Sequence, residues 1–167
     1  MRNPETRLTW EGIGPRLALL CLPYIILSVV VMVRYPAFFN LKFLDTPFVR
    51  ILGFIWMGLG VIFWATSAVC FLKEFKKGKL ITKGPFALSR NPIYSSTIVF
   101  VVPSLGLILH SGLILSISVV MYIGFKISIH GESRLLQKLF GEEYERYVKS
   151  VNELFPFPQF LFRERKS

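Results

Sequence analysis

Arg90, Asn91, Pro92 and Tyr94 close the segment LITKGPFALSRNPIY (Leu80–Tyr94), and Glu132, Tyr144 and Tyr147 belong to ESRLLQKLFGEEYERY (Glu132–Tyr147). These residue types could bind a small charged ligand. Asn91-Pro92 reads as a helix start, with Asn at the N-cap and Pro in the first turn. The free backbone N–H groups of such a start favour an anion. Arg90 adds a planar guanidinium that matches a carboxylate. Arg90 and Tyr94, four apart across the start, are expected to share a face. Glu132 and His130 lie where an apolar run gives way to a charged one. The helix start, Arg90 and Tyr94 suggest a carboxylate-binding corner at a membrane surface, and Glu132 should return to the same face. Plainer readings stand beside this one: Arg90 as a basic anchor, Tyr94 as an interfacial aromatic, Glu132 as the cap of a following helix. Lys126, four residues before His130, reads as a snorkelling side chain. Glu142, Glu143 and Glu145, alternating with Arg146 and Lys149, read as a solvated face.

The elements that must position these groups are apolar. The chain has 167 residues, 53% of them hydrophobic, and 16 are Phe. Uncharged runs cover Leu17–Val33, Ile51–Leu72 and Ile93–Leu109, and Ser111–Ile129 is broken only by Lys126. About 20 apolar residues span a bilayer, within a range of roughly 17–25. The expected fold is therefore an all-α membrane protein of about four transmembrane helices, 17–33, 51–72, 93–109 and 111–129, forming a single domain over residues 1–167. Trp10 suits the headgroup level before the first span, and Pro36 and Pro47 mark the first loop. Arg2 and Arg7 are interrupted by Glu5, and no small-residue cleavage site follows the first apolar run, so that helix is expected to stay. Helices three and four form a hairpin turned at His110-Ser111-Gly112. From Leu135 to Val151 apolar residues recur at three- and four-residue steps, predicting an amphipathic C-terminal helix bent near Gly141. The tail FPFPQFLF should hug the interface.

The net charge is +10, and its placement is informative. Lysines 73, 76, 77, 79 and 83 with Arg90 lie between the second and third runs, and another basic group follows the fourth. The positive-inside rule then places both termini and both polar segments in the cytoplasm. Charges that flank membrane spans predict anionic lipid headgroups as the partner and argue against nucleic acid. Cys21 and Cys70 fall inside spans, without CxxC spacing, so neither a zinc site nor a disulfide framework is indicated. No glycine-rich nucleotide loop, HExxH or nucleophile elbow is present.

The two polar segments are similar to motifs of the isoprenylcysteine carboxyl methyltransferases and related bacterial and archaeal membrane methyltransferases. LITKGPFALSRNPIY resembles their LvtxGPYrxxRHPxYxG element. ESRLLQKLFGEEYERYVKSVNELFP resembles their C-terminal EExxLxxxFGxeYxxYxxxVpxxxP element. The match covers residues 80–156. Asn91 stands where the family has His, Ser96 where it has Gly, and Ser133 where it has the second Glu. The resemblance implies S-adenosylmethionine as cofactor, no metal, and a lipophilic or membrane-embedded methyl acceptor such as a prenylcysteine carboxylate. Phospholipid amines and small thiols are alternative acceptors. It assigns the cofactor site to segments 80–94 and 130–156. Arg90 and Glu132 are expected to be catalytic, and Arg90, Asn91, Pro92, Tyr94, His130, Glu132, Tyr144 and Tyr147 to bind the cofactor, with Tyr94 and the C-terminal aromatics against the adenine. A prokaryotic inner membrane is expected rather than the endoplasmic reticulum. Two other classes share parts of this pattern: nicotinamide-dependent membrane sterol reductases, and a non-catalytic membrane scaffold.

Overall fold

The computed structural model describes residues 13–35, 39–75 and 78–157. Trp10, Pro36, Lys76, Lys77 and the tail beyond Phe157 lie outside the described residues. Four helical stretches carry the architecture: α1 (Gly14–Arg34), α2 (Pro47–Phe75), α3 (Pro92–Ile108) and α4 (Gly112–Ser150). No strand occurs among the described residues. Each predicted span falls on one of these helices. α1, α2 and α4 are long and apolar enough to cross a membrane, whereas α3 is a shorter apolar helix. Outward apolar side chains such as Leu19, Val33 and Ile62 are 74%, 68% and 63% exposed, a surface that suits hydrocarbon rather than water.

The helices pack as a row in the order α1, α4, α3, α2. Ile13, Leu17 and Cys21 of α1 meet Phe125 and Ile129 of α4 in the main core, and Tyr24 and Ser116 share a 2.8 Å hydrogen bond between these helices. The α2–α3 contact is close enough to require glycine at position 60, where a Cβ would lie 2.6 Å from Phe100 Cβ. The facing part of α3, Ser96–Val101, is π-helical. Its Val99 carbonyl accepts a 3.0 Å bond from the Trp56 indole, and the Trp56 ring stacks on Phe100 at 5.1 Å. The π-turn thus exposes a carbonyl that α2 satisfies, a common accommodation of a π-bulge.

The expected hairpin turn is present. His110 adopts a left-handed φ of 50°, and Ser111 caps α4 by accepting from the Ile114 N–H. The loop after α1 clasps this turn: Leu41 N–H donates to His110 O at 2.8 Å, Gly112 N–H donates to Phe39 O, and Asp45 Oδ1 lies 3.4 Å from His110 Nδ1.

One expectation changes here. The fourth span and the amphipathic helix are one continuous element, so Glu132 lies inside α4 rather than at a terminus where it could cap a second helix. The bend expected near Gly141 is present, with φ 49° and ψ −123° at that residue. Residues other than glycine rarely adopt that conformation. Beyond it the last arm folds against its own stem, and Gln137 Nε2 donates to Glu145 Oε1 at 2.7 Å across the bend.

Candidate functional site

The two motif segments meet through backbone as well as side chains. After α4, residues 151–157 run along the start of α3. Arg90 N–H donates to Asn152 O at 2.8 Å, and Ser89 Oγ donates to Leu154 O at 3.0 Å. Asn91 Nδ2 donates to Glu153 O at 3.0 Å. Leu154, 3% exposed, inserts into the main core and fixes the segment. One turn of chain further back, Tyr147 donates its hydroxyl hydrogen to Phe86 O at 2.6 Å. Tyr144, Tyr147 and Val151 form a second apolar cluster with Leu80, Leu136, Phe140 and Val148. Burial in it pushes the Tyr147 phenol pKa up, while Arg90 nearby pulls it back in part.

This junction borders an open cavity of about 420 Å³. Arg90 and Glu153 form one wall, Ile129, His130, Ser133, Arg134 and Gln137 of the α4 stem another, and Tyr144, Glu145, Val148 and Lys149 of the folded-back arm the third. The volume lies within the roughly 300–1,000 Å³ range of small-molecule sites. Much of its surface is apolar, from Ile129, Val148 and the carbon stems of the longer side chains, and its charged groups include more cations (Arg90, Arg134, Lys149) than carboxylates (Glu145, Glu153). Arg90 is 14% exposed and its Nε is buried without a partner, while its Nη2 lies 3.9 Å from Glu153 Oε1, beyond hydrogen-bond range. A buried guanidinium with donors to spare is suited to a ligand acceptor.

Of the residues singled out in the sequence, Arg90, His130 and Tyr144 line the cavity. Asn91, Pro92 and Tyr147 stand behind the wall: Asn91 ties down Glu153, Pro92 is fully buried, and Tyr147 anchors Phe86. Asn91 occupies the N-cap position, yet its side chain makes no cap bond, because its amide is used for the Glu153 carbonyl. Arg90 and Tyr94 do not share a face. Arg90 precedes the N-cap, where the chain is not helical, so four-residue spacing carries no face relation there. The Tyr94 ring packs on Phe125 at 5.8 Å in the core rather than on the cavity wall, and its hydroxyl lies beside Gly14. Glu132 faces the same side, away from Ser133 and His130. One of its carboxyl oxygens is buried without a partner, and burial raises the pKa of this group, which lies past the apolar run of α4.

Sequence reasoning missed Glu153 and treated Glu145 and Lys149 as part of a solvated face; both of the latter are exposed yet form cavity wall. The available signal for Glu153 was its place within the second motif segment. Lys126 does reach toward the polar rim as expected, and its partner is Glu153 Oε2. Among the described residues, no three His, Cys, Asp or Glu side chains gather in a way that could hold a metal ion.

Fold and site together define a helical membrane protein whose C-terminal arm borders an open cavity with a basic rim at the start of α3. The chain belongs to the phospholipid methyltransferase family, whose model matches residues 49–143, more than half of its length. It is also similar to probable protein-S-isoprenylcysteine O-methyltransferases of Oryza sativa subsp. indica and subsp. japonica, each 32% identical over 79 residues. Those matches cover 47% of this chain and 41% of each relative, so the chain matches less than half the length of these curated relatives. No solved structure matches the chain significantly.

Proposed function

We propose that this protein is an S-adenosylmethionine-dependent methyltransferase acting on a lipophilic acceptor at the cytoplasmic face of a membrane. The observation that carries the reading is the junction itself: the two motif segments build one cavity around an incompletely partnered Arg90. The residues present fit the cofactor. Arg90 offers donors to its carboxylate, His130 and Ser133 offer polar contacts, and Tyr144 offers an aromatic surface to the adenine. Asn91, Pro92 and Tyr147 hold that wall in shape. Tyr94 and Glu132 form a second polar group on the α1 side of α4, where the unpartnered Glu132 oxygen can accept a hydrogen bond.

S-adenosylmethionine, when bound, supplies a methyl group already activated by its sulfonium. The protein's share is to hold the two reactants in line and keep water away. A carboxylate or thiolate acceptor needs no base, whereas an ammonium must first lose a proton. The names of the relatives support a prenylcysteine carboxylate, and the family description supports a phospholipid amine. The basic wall of Arg90, Arg134 and Lys149 favours the anionic acceptor. Both termini are assigned to the cytoplasm, and a prokaryotic inner membrane is the assigned location.

The test is titration calorimetry of the detergent-purified protein with S-adenosylmethionine, followed by transfer of labelled methyl to prenylcysteine, amine-lipid and thiol acceptors. Binding that weakens at least tenfold in Arg90→Ala is expected, with transfer to one acceptor class. A folded protein that binds no S-adenosylmethionine overturns the reading. Binding of a nicotinamide cofactor instead would move the protein to the reductase class.

A further inference from the structure

Glu153 sits between two cations that have different access to the cavity. Its carboxylate is 20% exposed and lines the wall. Oε2 is taken by Lys126 Nζ, from the apolar run of α4. Oε1 faces Arg90 Nη2 at 3.9 Å, too far for a hydrogen bond. The Glu153 backbone is pinned, because its carbonyl accepts from Asn91 Nδ2 and the preceding carbonyl, of Asn152, accepts from Arg90 N–H. The carboxylate can therefore move only by rotating its side chain. A carboxylate beside a guanidinium ordinarily closes a bidentate pair, which consumes two donors and neutralises the charge. Here that pair is left open, and Arg90 Nε remains without a partner. Lys126 is not part of the cavity wall, and its side chain is 47% exposed.

We infer that Lys126 is a positioning residue for Arg90: by holding Glu153 through its far oxygen, it keeps that carboxylate from closing on the guanidinium and leaves Arg90 open to a carboxylate ligand in the cavity. The inference rests on the proposed function, in which Arg90 meets the carboxylate of S-adenosylmethionine. It gives the one lysine in the fourth apolar run a role that a membrane-edge anchor does not require.

The experiment is a double-mutant cycle read by calorimetry in detergent, with S-adenosylmethionine and its decarboxylated analogue as paired probes. Removing Lys126 in Lys126→Met frees Glu153 to pair with Arg90, and affinity for S-adenosylmethionine should fall about three- to tenfold, the size of coupling expected for charges in contact. Adding Glu153→Gln should restore that loss, because the competing carboxylate is gone. Lys126→Arg should retain the wild-type affinity. Affinity for the decarboxylated analogue should be the same in Lys126→Met and wild type, since it has no carboxylate for Arg90 to hold. Helical circular dichroism on each variant confirms a folded protein. A purely structural ion pair would weaken both probes alike and would not be rescued by the second substitution; that result, or an unchanged affinity in Lys126→Met, overturns the inference while leaving the proposed function intact. A wild-type protein that binds neither probe overturns the proposed function itself, and the inference with it.

Discussion

Tyr147 donates its hydroxyl hydrogen to the Phe86 carbonyl at 2.6 Å, a bond between residues 61 positions apart. It ties the folded-back arm of α4 to the loop before α3, so the third wall of the cavity depends on it. Tyr147→Phe keeps the ring in its apolar cluster and leaves the Phe86 carbonyl without this donor. The expected cost is about 1–2 kcal/mol, read as a lower thermal unfolding midpoint in detergent, with weaker cofactor binding in the same variant.

Asn91 occupies the position where the resembling family has His. Its amide N–H reaches the Glu153 carbonyl at 3.0 Å, and an imidazole N–H can make the same kind of donation. Asn91→His should therefore keep cofactor affinity within about twofold, whereas Asn91→Ala should lose about 1 kcal/mol of stability. Parallel unfolding and calorimetry measurements check both.

Gly141 sets the bend that brings Tyr144, Glu145 and Lys149 over the cavity. Nothing lies within 4 Å of where a Cβ would stand, so the barrier to Gly141→Ala is conformational rather than steric. Holding alanine at φ 49° and ψ −123° should cost about 1–3 kcal/mol. Straightening of the helix would relieve that strain but open the cavity. The expected result is a larger loss of cofactor affinity than of helical circular dichroism signal.

Burial raises the Glu132 pKa above its ordinary value of 4.5. The folded protein then holds a proton that the unfolded chain has released, so stability falls as pH rises from the ordinary carboxyl range through the raised pKa. Glu132→Gln should flatten this part of the stability profile and raise stability on its alkaline side. Unfolding midpoints of the two proteins across that pH range measure the difference; parallel profiles would refute it.

Charge placement predicts an orientation for the bundle. In a Cys70→Ser background, Lys79→Cys should react with a membrane-impermeant maleimide only after cell lysis, and Lys42→Cys should react in intact cells. Both positions are exposed, so labelling reports sidedness rather than burial. The opposite pattern would invert the assigned topology.

The sequence by itself determined the four helices, the hairpin turn at 110–112 and the bend at Gly141. Each follows from local features: uncharged length, turn residues, or a glycine within an amphipathic period. It also determined that the segments around Arg90 and Tyr147 belong together, since a two-helix hairpin returns the chain to the face it left. Only the tertiary structure decided which side chains share the cavity. Asn91 leaves its cap for Glu153, Tyr94 turns into the core against Phe125, and Arg90 shares no face with it because it lies before the helix begins. Glu132 and Ser133, neighbours in sequence, face different sides of α4. Glu153 gained its place from the docking of Leu154 into the core, a contact with Phe125 and Ile129 of α4, which precede it by more than 20 positions. Helical periodicity ends where a helix ends, and long-range docking has no local pattern to read. That is why the membrane class was legible in the residues, while the Lys126–Glu153–Arg90 arrangement required the fold.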